Sequence, residues 1–192
     1  MCVLKIINVQ RLEYLNYEYF INKNTNNFTI KESEVKYNND GSFNRLQIDD
    51  NSYDNLDFKS INKEIMKNIN SQKGLIYKIA ETNNNIIIDK KTSKEYTFSN
   101  YSRRSSKENK RIKGILSRYL KEVINNSNDR KFVNYKKKKH IKDAKYGFYK
   151  YKITFSILNK GVENFYEAIV LIRNSEDTKK YLYDILNIKK IN

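Results

Sequence analysis

The sequence predicts an α+β fold in which a C-terminal antiparallel sheet is packed by one long amphipathic helix, with a smaller α+β part ahead of it. Three observations lead there. Residues 105–127 carry an apolar stripe at helical spacing, residues 148–190 hold three runs of strand character, and tight-turn residues separate those runs. The apolar stripe needs a partner, and the adjacent strands supply the simplest one.

In the first half, "CVLKIINV" and "NFTIKESEVKY" have strand character. "NNDGSFNRLQIDDNSYDN" is polar and turn-rich, which marks a boundary between residues 38 and 56. "DFKSINKEIMKNINSQKG" then places Ile61, Ile65, Met66 and Ile69 at helical spacing, with Gly74 as the stop. The predicted division is residues 1–72, an accessory or partner-binding region, and residues 73–192, a basic α+β domain.

The second half is more sharply patterned. "GLIYKIA" and "NIIIDKKTSKEYTFS" are predicted strands, with a turn at Lys90-Lys91-Thr92-Ser93. In "SSKENKRIKGILSRYLKEVINNS", Ser105 and Glu108 have the spacing of a capping box. Ile112, Ile115, Leu116, Tyr119, Leu120, Val123 and Ile124 form one helix face, and Lys110, Arg111, Lys113, Arg118 and Lys121 the other. In "YGFYKYKITFSIL", Tyr149, Tyr151, Ile153, Phe155 and Ile157 alternate with Lys150, Lys152, Thr154 and Ser156. "NKG" at 159–161 is a hairpin turn, "NFYEAIVLIRN" the returning strand, "SEDTKK" a second turn and "YLYDILNIKK" the last strand.

The charge of +16 is segregated: residues 1–98 balance at +1 and residues 99–192 at +15. A charge serving only solubility would spread evenly, so the asymmetry points to a polyanion-binding half. The single cysteine, Cys2, excludes an internal disulfide and a structural zinc site, and fits a reducing cytoplasm. No apolar run is long enough to span a bilayer, and Arg11 and Glu13 interrupt the start too soon for a secretory signal. No phosphate loop, H-E-x-x-H or nucleophile elbow is present, so kinase, protease and hydrolase readings have no foothold, and no cofactor is expected.

The segments "IIIDKKTSKEYTFSNYSRRSSKENKRIKGILSRYLKEVINNS", "KKKKHIKDAKYGFYKYKITF", "YEAIVLIR" and "KKYLYDILNIKK", within residues 75–190, resemble the barnase–EndoU–colicin–RelE-like (BECR) domains. The closer likeness is to the versions found in polyvalent proteins of phages and mobile elements. The turn Lys91-Thr92-Ser93 departs from that pattern in lacking glycine. The resemblance implies a nuclease-like fold whose better-known members cut RNA without metal. Such cleavage needs a base for the 2′-hydroxyl, an acid for the leaving oxygen and cations at the phosphate.

Residues able to fill those roles lie in and beside these segments. His140, the only histidine, sits behind Lys136, Lys137, Lys138 and Lys139. Those lysines favour its neutral, basic form, and the plain alternative is an exposed basic loop. Arg173 is expected either to clamp a phosphate or to pair with Glu167 or Asp184 across the sheet. Tyr183 offers a hydroxyl for an acid or hydrogen-bonding role. Arg103 and Arg104 precede a helix N-terminus, where amides attract anions. Together with Lys136–Lys139, Lys150 and Lys152 they form the expected nucleic-acid-binding set. The expected partner is nucleic acid, RNA rather than DNA, or a host nucleoprotein, and not a membrane. Two function classes stand: a metal-independent endoribonuclease or toxin, and a non-enzymatic phage anti-defence inhibitor of the anti-CRISPR kind.

Overall fold

The computed structural model describes residues 35–37, 43–134 and 144–191. The chain divides into two units, residues 1–31 and 32–192. The first unit lies outside the described residues, and with it Cys2 and the strand expected at "CVLKIINV". Every described element belongs to the second unit.

The fold is α+β. Its strands are β1 (Val35–Tyr37), β2 (Phe43–Asp49), β3 (Ile76–Ile79), β4 (Asn84–Ile87), β5 (Asn128–Val133), β6 (Phe148–Asn159), β7 (Val162–Asn174) and β8 (Lys180–Ile191). Its helices are α1 (Phe58–Ser71), α2 (Lys90–Phe98), α3 (Asn100–Arg104), α4 (Lys107–Arg118) and α5 (Leu120–Asn125). The strands run β1-β2-β6-β7-β8-β4-β3, and β5 pairs with β6. The β6–β7–β8 meander is antiparallel as expected, and the Lys160-Gly161 turn has both residues at positive φ, the geometry that matches strand twist.

The sheet as a whole is mixed, because β2 and β4 join β6 and β8 in parallel. Strand β6 serves two partners along one edge: β5 pairs with its first half and β2 with its second. The stretch 38–56, expected to be a boundary, therefore contributes a strand whose Leu46 and Ile48 are buried. The boundary expected after residue 72 falls inside the second unit, since α1 and β2 share its core.

Three local expectations change for physical reasons. Residues 90–93 are the first turn of α2: the Asp89 side chain accepts from the Thr92 amide at 2.8 Å, and the Thr92 hydroxyl faces the Asp89 amide at 3.3 Å. The expected long helix is broken at Tyr119 into α4 and α5. Its N-cap is Ser106, which accepts from the Asn109 amide, while Glu108 accepts from the Tyr166 hydroxyl. In α1, Asp57 caps the helix, Ile61, Ile65 and Ile69 enter the core, and Met66 stays exposed.

One face of the sheet meets the helices. Tyr151, Ile153, Phe155 and Ile157 of β6 lie under Ile112, Ile115, Leu116, Leu120, Val123 and Ile124 in one buried cluster. Burial of such side chains contributes on the order of 1.5–3 kcal/mol each. Gly114 lets the Tyr53 ring lie against α4, since a Cβ there would stand 2.6 Å from a ring carbon. The Tyr53 oxygen accepts from Asn68 at 2.7 Å, and burial pushes this phenol up to about 12.

Gly114→Ala is expected to lower stability by about 1–3 kcal/mol through overpacking, despite alanine's better helix propensity of about 1 kcal/mol. Urea unfolding measures the sign, and a gain in stability would show that Tyr53 does not rest on this helix.

Candidate nucleic-acid interface

Alternation along the strands sends a second set of side chains to the face opposite the helices. Lys150 and Lys152 of β6 rise there, as expected from sequence. Lys131 of β5 is opposite Lys150, and Lys189 of β8 is opposite Glu167 of β7. Lys78 of β3 alternates with the buried Tyr77 and Ile79 and is exposed on this side. Lys150 is half-buried, whereas Lys131, Lys152 and Lys189 are exposed. Glu167 is 3.2 Å from Lys152. Farther along the face the character changes: Glu163 accepts from Gln47 at 2.9 Å and from Ser156 at 2.7 Å. Cationic potential is therefore concentrated toward the β5 end of the sheet.

The helical layer treats its cations differently. Expected as a solvent-facing basic stripe, Lys110 and Lys113 are instead buried, at 3% and 0% exposure. Arg111 pairs with Asp54 at 2.6 Å and Arg118 with Asp50 at 2.9 Å. Arg103 and Arg104 are exposed, but they end the short helix α3 in that same layer. The structure thus joins Lys150 and Lys152 on one face and leaves Arg103 and Arg104 with the helices.

Arg173 stands at the end of β7, 7% exposed. Its guanidinium forms an ion pair with Asp89, donates to the Ser175 hydroxyl at 2.5 Å and lies 4.2 Å from the centre of the Tyr181 ring. Its partner is neither Glu167 nor Asp184 but the residue that caps α2. The Tyr181 hydroxyl donates to Asp177 at 2.7 Å, a bond that raises the phenol and lowers the carboxyl. Tyr183 is also enclosed, 8% exposed and edge-on to Phe148 at 5.1 Å, in a small cluster with Ala144 and Leu171. Both residues are packed into the end of the sheet. His140 and Lys136–Lys139 lie outside the described residues. The described residues on either side of them are Asn134 and Ala144.

The sequence reading missed a buried polar network. Lys113 donates to Asp184, both fully enclosed, and Asp184 also accepts from the Ser99 hydroxyl at 2.7 Å and its neighbouring Ile185 amide at 2.8 Å. The Lys113 ammonium stands 4.4 Å over the Tyr96 ring. One turn earlier, Lys110 donates to Asn62, to the Thr97 carbonyl and to the Ser102 hydroxyl at 2.7–2.9 Å. Burial pushes Asp184 up and Lys113 down, and their mutual attraction opposes both shifts. Burial and the Lys113 charge push Lys110 down to about 8. A β-bulge makes the network possible. Leu171 pairs with Asp184 and Ile172 with Leu182, so Tyr183 is extra in the ladder. The bulge turns Asp184 and Ile185 both toward the helices and Tyr183 away. The available signal was the carboxylate inside the apolar run "YLYDIL".

No described helix is long and apolar enough to cross a membrane, and no cluster of three metal-ligating side chains occurs among the described residues. Comparison with protein-family models, curated proteins and solved structures finds no match. The class that can be stated is therefore structural: an α+β protein with helices on one sheet face and a cationic opposite face.

Asp184→Ala is expected to cost about 3–5 kcal/mol by stranding Lys113, while Lys113→Met with Asp184→Leu costs much less; chemical denaturation of the three proteins compares them. The Lys110 penalty is present at neutral pH. Between about pH 8 and 10.5 the unfolded chain keeps a proton that folded Lys110 has released, so stability rises with pH through that window. Relative to Lys110→Met, the wild-type unfolding midpoint should climb there; a flat difference would remove the assignment.

Proposed function

We propose that this protein binds RNA, with the cationic sheet face of β5 and β6 holding the phosphate backbone. The observation behind the reading is the placement of Lys131, Lys150 and Lys152 together on the face opposite the helices, with Lys131 directly across from Lys150, while Arg111 and Arg118 on the helical side are matched with aspartates. Phosphate contacts of this kind supply affinity and register rather than sequence preference. RNA is the expected polyanion because of the resemblance to BECR domains.

Cleavage is a separate matter. Arg173 is paired with Asp89 and Tyr183 is packed on Phe148, and the base for the 2′-hydroxyl in a metal-independent reaction is assigned to His140. Labelled RNA incubated with the purified chain in chelator separates the two function classes. Product that disappears in His140→Ala, with affinity kept, identifies an endoribonuclease. A stable complex without product identifies a binding module, the class that includes inhibitors of host nucleoproteins.

Replacing Lys131, Lys150 and Lys152 by glutamine should weaken RNA binding and flatten its salt dependence by about 0.7 log unit per lost phosphate contact. Unchanged affinity and slope in the triple variant would refute the assignment of this face.

A further inference from the structure

Strand β5 carries a phenylalanine that the core does not use. Phe132 is 56% exposed, and all residues from Asn128 to Phe132 are exposed. The ring is nonetheless held in place. It packs 5.5 Å from the Tyr149 ring at a tilt of 58°, and Arg130 stands 5.6 Å from Tyr149 on the same side. Beneath it lies Gly147, whose φ of +80° no bulky residue adopts readily, and where a Cβ would stand 2.8 Å from the Phe132 ring. Gly147 is itself fixed by hydrogen bonds, donating to the Ala144 carbonyl at 2.9 Å and accepting from the Asn174 amide at 3.0 Å.

An exposed aromatic on a sheet edge is a liability unless something covers it. The surrounding charge says what would suit. Lys131 projects from the opposite side of β5 beside Lys150, and its contact with Asp129 at 3.1 Å is solvent-exposed on both sides and readily exchanged. A chain of phosphates crossing the edge of β5 meets Lys131 and Lys150 on one side, and a base reaching around the edge meets Phe132 flanked by Arg130 on the other. Bases inside a duplex do not offer their faces for such stacking.

Building on the RNA-binding reading, we infer that Phe132 is a base-stacking residue and that the nucleic acid taken by this edge is single-stranded. The ring is preorganised by Gly147 and Tyr149, so stacking costs little ordering. It contributes affinity without releasing counterions, and the lysines supply the salt-dependent part.

The test uses the full chain with fluorescein-labelled oligouridine and an RNA duplex of equal length, followed by anisotropy across salt concentrations. Phe132→Ala should weaken oligouridine binding about tenfold, with an unchanged salt slope and cooperative unfolding retained. Lys131→Gln should lower the slope instead. The chain contains no tryptophan, so Phe132→Trp introduces a single reporter whose emission should be quenched by oligouridine while affinity is retained. Tight oligouridine binding that Phe132→Ala leaves intact, or a preference for duplex, overturns the stacking inference and leaves RNA binding standing. Absence of any RNA binding by the wild type overturns both. Self-association in sedimentation that Phe132→Ala abolishes, with RNA affinity unchanged, assigns the edge to a second copy of the chain and also overturns it.

Discussion

The arrangement of this protein depends on a carboxylate placed in the middle of an apolar strand. Asp184 cannot stay charged in the core without a cation and further donors, and Lys113, Ser99 and the Ile185 amide provide them. Meeting that demand ties β8 to α4 and to the segment between α2 and α3. It also requires the bulge at Tyr183, which turns one aromatic to the other face. Lys110 extends the same network to α1 through Asn62 and to α2 through the Thr97 carbonyl. The helices are thereby committed to one side of the sheet.

That commitment gives the two faces different electrostatics. On the helical side, Lys110 and Lys113 are buried with acceptors and Arg111 and Arg118 are matched to aspartates, while Arg103, Arg104 and Lys107 stay exposed. On the other side, Lys131, Lys150 and Lys152 share a surface with Glu167, 3.2 Å from Lys152. The potential of such a face reaches several ångströms into solvent and weakens with salt. The β5 edge adds an exposed aromatic to that field, so the region combines phosphate attraction with a ring surface.

Much of the fold is legible in residue order. The alternation of β6, the Lys160-Gly161 hairpin and the i, i+4, i+8 isoleucines of α1 each act through contacts near in sequence, so local patterning fixes them. Residues 90–98 read locally as a turn and strand but fold as a helix, because Asp89 supplies the cap and one carboxylate outweighs weak strand propensity. The partner of Arg173 is beyond the reach of local pattern, since it lies 84 positions away at that same Asp89.

The sequence alone determined an α+β chain, a meander with its inward face, and an excess of positive charge in the second half. These follow from period-two and period-3.6 patterning and from composition. Only the tertiary structure decided that β2 and β4 join in parallel, that Lys110 and Lys113 leave solvent, and that Phe132 stays in it. The physical reason is that burial and pairing of a side chain depend on which distant residue arrives beside it. Lysine at position 113 has the same chemistry as lysine at 152, and the difference is that one meets Asp184 inside the core and the other meets Glu167 at the surface.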